Sequence, residues 1–416
     1  MENYTPSPAV KQTLSQLKAL PCIAKALDFL KEDTAPTLKQ QIELAKIPAP
    51  TYHEKEKALA FCEALKAEGL EDVHLDRFGN AIGLRRGKGA ARVIMEAHMD
   101  TVFPLDTKLE PRIEGSRVYL PGVNDDTSGL GSILTVIRAL NAAGIETEAD
   151  LYFMGTVEEE GMGGLGGMKK HMSENSYDAS ISIDGSGFGT IVYGGTGIRT
   201  CEINFHSGSG HAAGAFGKVA NSLNAAARCV AKIADLQVPP DSGTIFCVSN
   251  FHAGNDAGIH AIVGDSQIKI NYRSHRQDYL VALHEQIMKA AQEACDEETA
   301  RWGCETVTWD TVSYVDIPAV SQSADIPLVQ ALYTVIEDAG LTPKFAVGGA
   351  TNCTMAINAG IPAVCIGSGG TGGGAHSLDE YYDDTDRHIA SGATLLLLLM
   401  MAGVAGETAP LAEKKA

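Results

Sequence analysis

The nine cysteines of the sequence include no CxxC pair, and their number is odd. A disulfide framework is therefore not expected, and the thiols are predicted to be reduced. The first residues, MENYTPSPAVKQ, lack the basic and apolar regions of a secretory signal. These absences together predict a cytoplasmic location.

Basic residues are scarce, with 33 Lys and Arg against 52 Asp and Glu, so the formal net charge is −19. Such a charge repels a phosphate backbone, and no nucleic-acid partner is expected. The strongly apolar segment 393–406, ATLLLLLMMAGVAG, is shorter than the roughly 20 residues that cross a bilayer. We predict that it forms a buried core helix, and we expect no membrane partner.

What the sequence does contain is a regular alternation of apolar strands and helices between residues 91 and 184. This pattern predicts an α/β fold with a doubly wound, mostly parallel sheet. From about residue 194, alternating strands and two long helices predict an inserted α+β domain, and the strand IPAVCIGS returns the chain to the first sheet. We therefore predict a discontinuous catalytic domain, 1–193 and 317–416, interrupted by a domain at 194–316.

Three consecutive glutamates, Glu158, Glu159 and Glu160, follow the apolar strand LYFMGTV. A run of like charges is commonly a solvated loop. In open α/β sheets, however, ligands bind beyond the carboxyl ends of the strands. The position of the run therefore favours a cleft.

The overlapping segment GMGGLG, residues 161–166, fits the glycine pattern of a dinucleotide-binding turn, with Asp184 about 20 residues further on. A pyrophosphate at this turn would meet three carboxylates, which the positive end of one helix does not offset. Nucleotide binding is therefore disfavoured.

Other predicted strand and loop ends also carry residues that bind metals. His98 and Asp100 are two apart in AHMD, so both side chains point the same way on an extended backbone and the aspartate can orient the imidazole. The further candidates are Asp125, Asp126, Asp184 and His376. Two histidines among carboxylates suit two divalent ions bridged by one carboxylate, with Glu160 as a ligand and Glu159 facing a water.

The ordered segments HMDTVFP, GVNDDTSGL, EEEGMGG, SIDG, GSGHAAGAFG, NYRS and GGGAHSLDE make the chain recognisable. From about His98 to the C-terminus it resembles the zinc-dependent exopeptidase family that includes tripeptidase T, glutamate carboxypeptidase, acetylornithine and succinyl-diaminopimelate deacylases, and aminoacylases. The resemblance implies two Zn²⁺ per subunit, with Co²⁺ or Mn²⁺ as alternatives.

The resemblance also implies a role for each site residue. Asp125 would bridge the metals, His98 and Asp184 would complete one, and Glu160 and His376 the other. Asp100 would be the partner of His98, and Glu159 the general base. A cis peptide is implied between Asp125 and Asp126.

Substrate contacts follow from the same resemblance. The inserted domain resembles the family's lid and dimerisation domain, and its His211 would stabilise the oxyanion in the partner subunit of a homodimer. Arg273 would hold a substrate carboxylate, with nearby Arg276 as an alternative. His260 stands where relatives have a substrate-contacting asparagine, which leaves specificity open. Gly349 and Asn352 are further substrate-contact candidates.

The expected function is metal-assisted hydrolysis of an amide bond in a small peptide, by a di- or tripeptidase or a related exopeptidase. An N-acyl-amino-acid deacylase would use the same residues. A protein of a different class, a non-catalytic metal-binding scaffold, is compatible with the same fold. The complete ligand set and the base Glu159 favour an enzyme.

Overall fold

The computed structural model of the protein describes residues 4–413. These residues divide into two compact units. Unit 1 comprises residues 4–195 and 321–413, and unit 2 comprises Thr196–Val320.

Helices are distributed over both units. In chain order they are α1 Pro8–Lys18, α2 Pro21–Glu32, α3 Thr34–Ala45, α4 Lys55–Ala67, α5 Thr127–Ala143, α6 Gly166–Met172, α7 Ala212–Ala215, α8 Ser222–Ala234, α9 Gln277–Trp302, α10 Pro327–Asp338, α11 Asn352–Asn358 and α12 Arg387–Ala402. A 3₁₀ turn, Gly161–Gly163, precedes α6.

The strands are likewise numbered in chain order. They are β1 Glu71–Leu75, β2 Ala81–Arg85, β3 Arg92–His98, β4 Arg112–Glu114, β5 Arg117–Tyr119, β6 Asp150–Thr156, β7 Ala179–Ile183, β8 Thr190–Gly195, β9 Gly197–His206, β10 Gly210–His211, β11 Ile245–Ala253, β12 Ala261–Ile262, β13 Asp265–Ser274, β14 Thr308–Ile317, β15 Val320–Ser321, β16 Lys344–Gly348, β17 Ala363–Ile366, β18 Thr371–Gly373 and β19 Tyr381–Asp383.

The main sheet of unit 1 contains the strand order β1-β2-β6-β3-β7-β17-β8, and β16 also pairs with β8. The central strands β6, β3, β7 and β17 run parallel, whereas β1 and β2 form an antiparallel edge. Strands β7 and β17 are buried throughout, as expected for parallel strands covered on both faces. The predicted α/β class with a mostly parallel sheet is confirmed.

Helices α5 and α12 pack against β3, and α11 packs against β7 and β17. Helix α5 begins at its N-cap Asp126, whose side chain accepts from Gly129 N–H, and ends at Gly144 in the left-handed conformation. Helix α12 is buried from Ala390 to Ala402, so residues 393–402 of the apolar segment form a core helix as predicted, whereas residues 403–406 lie beyond its end. Within residues 4–413, no helix is both long and apolar enough to cross a bilayer.

Unit 2 is built on an antiparallel sheet of order β11-β13-β9-β14. Helices α8 and α9 pack on this sheet and enclose a separate apolar core that includes Phe205, Ile233 and Ile287. A short two-stranded ladder, β10 with β12, brings His211 opposite Ala261.

Candidate metal centre

The candidate ligands of unit 1 lie where strands and loops converge. His98 ends β3, Asp184 follows β7, and Glu160 lies just beyond β6. Asp125 lies just before α5, and His376 lies in the loop between β18 and β19. Since β3, β6 and β7 are parallel neighbours, their carboxyl ends lie along one edge of the sheet.

Asp125 stands between the two histidines. Its Oδ1 lies 2.9 Å from His98 Nε2, and its Oδ2 lies 3.2 Å from His376 Nε2. His376 Nε2 is also 2.8 Å from Glu160 Oε1. One ligand atom each from His98, Asp125 and Glu160 lies within 4.8 Å of the others. One carboxylate therefore presents each of its oxygens to a different imidazole.

The electrostatics of this cluster favour a positive charge at its centre. Burial raises the pKa of Asp184 to about 6, and Asp125 adds to the rise, while His98 and His376 oppose it. For His98, burial lowers the pKa, but the nearby carboxylates of Asp100 and Asp125 outweigh burial and hold the pKa well above its ordinary value. Carboxylates that repel one another beside imidazole nitrogens are a donor set that fits divalent cations.

Asp100 was predicted to orient His98, and the structure changes which atom does so. His98 Nδ1 is 3.0 Å from the main-chain oxygen of Asp100, whereas the carboxylate Oδ1 is 3.6 Å away. The carboxylate instead accepts the N–H groups of Glu159 at 3.0 Å and Glu160 at 2.9 Å, and the Thr51 hydroxyl at 2.9 Å. Asp100 therefore fixes the glutamate loop as well as the histidine.

The three consecutive glutamates have three different environments. Glu158 forms an ion pair with Lys170, 2.6 Å from Oε2 to Nζ, and Glu160 contacts His376. The Glu159 carboxylate has no hydrogen-bond partner among residues 4–413. Burial raises its pKa well above the ordinary value, and Asp184 is among the carboxylates that add to the rise. Glu159 is therefore a carboxyl group suited to accepting a proton.

Two buried carboxylates connect the ligand loops: Asp126, which the sequence offered only as a candidate metal ligand, and Glu380, which was not predicted. Asp126, joined to Asp125 by the implied cis peptide, accepts from the N–H groups of His98 at 3.2 Å and Gly185 at 3.1 Å. Glu380 accepts three N–H groups of the Asp125 loop. The N-cap position before α5 was a usable signal for Asp126, whereas no local pattern marks Glu380.

The glycine-rich segment after the glutamates serves close packing. A Cβ on Gly166 would collide with the Glu158 carboxylate, and a Cβ on Gly167 would collide with the Val157 carbonyl oxygen. These two glycines therefore let the start of α6 lie directly against the glutamate loop, which explains part of the pattern without a bound phosphate.

The predicted substrate residues of unit 2 are exposed. His211 and His260 stack with ring centroids 6.0 Å apart, and His211 Nδ1 accepts from Ala213 N–H at 3.2 Å. This acceptor role places the imidazole proton on Nε2 in the neutral ring. Arg273 donates its Nε–H to Asn271, whereas Arg276 makes two hydrogen bonds to Asp278. The guanidinium group of Arg273 thus makes fewer hydrogen bonds within the protein than that of Arg276.

The remaining two substrate candidates differ in exposure. Gly349 is exposed. Asn352 is buried, and its amide donates to Glu96 Oε2 at 2.8 Å and Thr156 Oγ1 at 2.7 Å. The amide nitrogen of Asn352 is therefore used inside unit 1, and the substrate role of both residues stays a prediction.

Comparisons with known proteins find relatives of this chain. A segment of 175 residues is 31% identical to succinyl-diaminopimelate desuccinylase of Corynebacterium glutamicum and covers 41% of this chain and 47% of that protein. The chain spans from about a third to about half of the length of the curated relatives that it matches first.

Solved structures match over nearly their whole length. A tripeptidase of Staphylococcus aureus subsp. aureus Mu50 superposes with a TM-score of 0.73 at 20% identity, covering 88% of this chain and 97% of that one. YXEP of Bacillus subtilis, described as a dinuclear metal-binding peptidase, gives a TM-score of 0.64 at 15% identity, with 89% and 99% covered. These likenesses show the fold.

The family signature covers most of the chain. Residues 94–402 match the family described as Peptidase family M20/M25/M40. The match extends from within β3 to the end of α12 and includes all five candidate ligands. The predicted resemblance is confirmed, and the chain belongs to peptidase family M20/M25/M40.

Proposed function

We propose that this protein hydrolyses an amide bond of a small peptide, as a di- or tripeptidase or a related exopeptidase, with two divalent cations. The observation that carries the proposal is the Asp125 carboxylate, which directs one oxygen toward His98 and the other toward His376. A carboxylate in this position suits a bridge between two cations. Two neighbouring metal ions can together activate water and stabilise the charge that develops during amide hydrolysis.

His98 and Asp184 would hold one cation with Asp125, and Glu160 and His376 would hold the other. Zn²⁺ is the proposed metal because imidazole and carboxylate ligands suit it, with Co²⁺ or Mn²⁺ as alternatives. When bound, the cations polarise the amide carbonyl and lower the pKa of water.

Glu159 supplies the proton transfer. Its carboxylate takes a proton from the attacking water as the water oxygen bonds to the carbonyl carbon. It then gives a proton to the leaving nitrogen as the carbon–nitrogen bond breaks. The N–H groups of Glu159 and Glu160 both donate to the Asp100 carboxylate, which fixes the main chain on either side of the Glu159 side chain.

Unit 2 supplies the groups that recognise the substrate. We assign the Nε2–H of His211 to the oxyanion, donated in the partner subunit of a homodimer, and Arg273 to a substrate carboxylate. Dimer formation through unit 2 is supported by its edge strand β11, where Ile245 is 61% and Phe251 is 42% exposed. An unpaired strand edge with apolar side chains favours pairing with a second copy.

A second candidate substrate class is N-acyl amino acids. The likeness to a desuccinylase favours it, because the name of that relative states the removal of a succinyl group, which is an acyl group. Both candidates have an amide carbonyl and a free carboxylate, so the same metal centre and the same arginine serve either. The acyl side of the amide separates them, because a peptide carries an α-amino group there and an N-acyl amino acid does not.

The experiment that tests the proposal is a hydrolysis screen of purified, Zn²⁺-loaded protein. The panel contains di- and tripeptides with free or blocked termini, and N-acetyl and N-succinyl amino acids. Turnover of peptides with a free carboxylate is expected. Turnover of acyl amino acids alone would replace the peptidase proposal by the deacylase. No turnover of either class would contradict both.

A further inference from the structure

Glu380 is a fully buried carboxylate beside the metal centre that no predicted role covers. Its Oε1 accepts the N–H groups of Asn124 and Asp125, both at 2.9 Å, and its Oε2 accepts the N–H of Gly122 at 2.8 Å. Both oxygens are therefore occupied by the main chain of the loop that presents Asp125. Glu380 is therefore not assigned as a metal ligand.

Glu380 also belongs to the loop that carries His376, which precedes it by four positions. Its main chain also contacts the Asp125 side, because Glu380 O accepts from Leu120 N–H at 3.0 Å. Just beyond Glu380, β19 pairs with β5. Side chain and main chain of Glu380 thus join the loop before α5 to the loop that carries His376.

The position of His376 depends on contacts of its loop more than that of the buried His98 does. Its side chain is 53% exposed, whereas that of His98 is 2% exposed. His376 also has a left-handed backbone, with φ of 64°. An exposed residue in this conformation is held in place by its surroundings rather than by its own preference. The bonds from Glu380 are the nearest buried attachment along the chain.

We propose that Glu380 is a positioning residue that sets the separation between Asp125 and His376, and so determines the affinity of the cation held by His376 and Glu160. This inference rests on the proposed two-cation function. The cation held by His98 and Asp184 depends less on Glu380, because Asp126 holds the N–H groups of His98 and Gly185 independently.

The test measures metal binding directly, by calorimetric titration of the metal-free full-length protein with Zn²⁺ and by the visible spectrum of the Co²⁺ form. Glu380→Gln retains the size of the side chain but replaces one carboxylate oxygen with an NH₂ group. This group cannot accept from the N–H groups of Gly122, Asn124 or Asp125, so at least one hydrogen bond is lost. Asp379→Asn is the matched control, because it removes an exposed carboxylate one residue away. Glu380→Ala is the more severe variant.

We expect two binding events for the wild type and for Asp379→Asn. In Glu380→Gln the second event should weaken about 10- to 100-fold, as loss of an outer carboxylate contact typically does, while the first weakens much less. Glu380→Ala should lose the second event. The loss should appear without substrate, which separates it from an effect on turnover.

Three other outcomes would contradict the positioning role of Glu380. Two unchanged events in Glu380→Gln would refute the positioning role while leaving the two-cation function intact. Equal weakening of both events, or failure of both Glu380 variants to fold, would make Glu380 a general structural residue. Fewer than two events in the wild type would refute the proposed function itself, and this inference with it.

Discussion

The backbone N–H of Glu159 donates to Asp100 Oδ1 at 3.0 Å. Asp100 thereby holds the main chain of the proposed base, and its other oxygen holds that of Glu160. Glu160 contacts His376, whereas the preceding Glu159 carboxylate has no hydrogen-bond partner among residues 4–413. This difference supports the proposed roles of Glu159 as the base and Glu160 as a metal ligand.

Glu159→Gln should therefore retain both cations and lose turnover. Removal of a general base is expected to lower kcat by about 10²- to 10⁴-fold. Glu158→Gln is the matched control from the same run, because its carboxylate pairs with Lys170. Metal content and kcat of both variants decide the assignment. A metal-free Glu159→Gln protein would mean that Glu159 is a ligand.

Arg273→Lys should weaken catalysis on substrates with a free carboxylate more than on their amides, because lysine lacks the bidentate fork. Loss of one charged hydrogen bond corresponds to roughly a 10- to 100-fold lower kcat/KM. Arg276→Lys is the control, since Arg276 is already paired with Asp278. Equal losses on acid and amide with Arg273→Lys, or a larger acid-specific loss with Arg276→Lys, would reverse the assignment.

The buried Lys57 on α4 should make the stability of the fold depend on pH. It is 1% exposed, and burial lowers its pKa to about 8, against the opposing effect of carboxylates that include Asp100 and Glu380. Below about pH 8 both folded and unfolded chains carry the proton, so the penalty is fully present. Between about pH 8 and the ordinary value near 10.5, the folded chain releases the proton first, and stability rises with pH.

We therefore expect the free energy of unfolding of the wild type to rise relative to that of Lys57→Met, by up to about 3 kcal/mol over this window. Urea denaturation at several pH values measures the difference. Lys55→Met, which removes an exposed lysine of the same helix, should stay parallel to the wild type. Parallel curves for Lys57→Met would contradict the lowered pKa.

A mixed-dimer experiment tests whether His211 acts in the partner subunit. Glu159→Ala and His211→Ala homodimers should each be nearly inactive. In a heterodimer, the site on the His211→Ala subunit retains its own Glu159 and receives His211 from the partner. One working site should return, recovering the roughly 10²- to 10³-fold loss of a positioned donor. Purified heterodimers that stay inactive would leave His211 without a role across the interface.

Much of the fold could be predicted because buried parallel strands leave continuous apolar runs. The runs before His98 and Glu158 predicted β3 and β6, and their carboxyl ends located the centre. The antiparallel edge of β1 and β2 was not predicted, because a partly exposed edge strand such as β1 lacks a strong pattern. Its place in the sheet is fixed by pairing with β6 through β2.

Within the site, residue types were predictable and many contacts were not. The spacing of His98 and Asp100 predicted their association, but only the backbone path shows that the main-chain oxygen is the nearer acceptor. Glu380 bonds to residues more than 250 positions away in the chain. Contacts between loops so distant depend on the tertiary fold, and no local sequence pattern contains them.

Two cations at this centre are proposed to support amide hydrolysis. The most direct measurement removes the metals with a chelator and then titrates Zn²⁺ back while hydrolysis of a peptide with a free carboxylate is followed. We predict that turnover disappears without metal and is fully restored at about two equivalents per chain. Turnover that persists after verified removal of the metals would contradict a metal-dependent hydrolase. Metal-loaded protein that hydrolyses neither peptides nor acyl amino acids would contradict it as well.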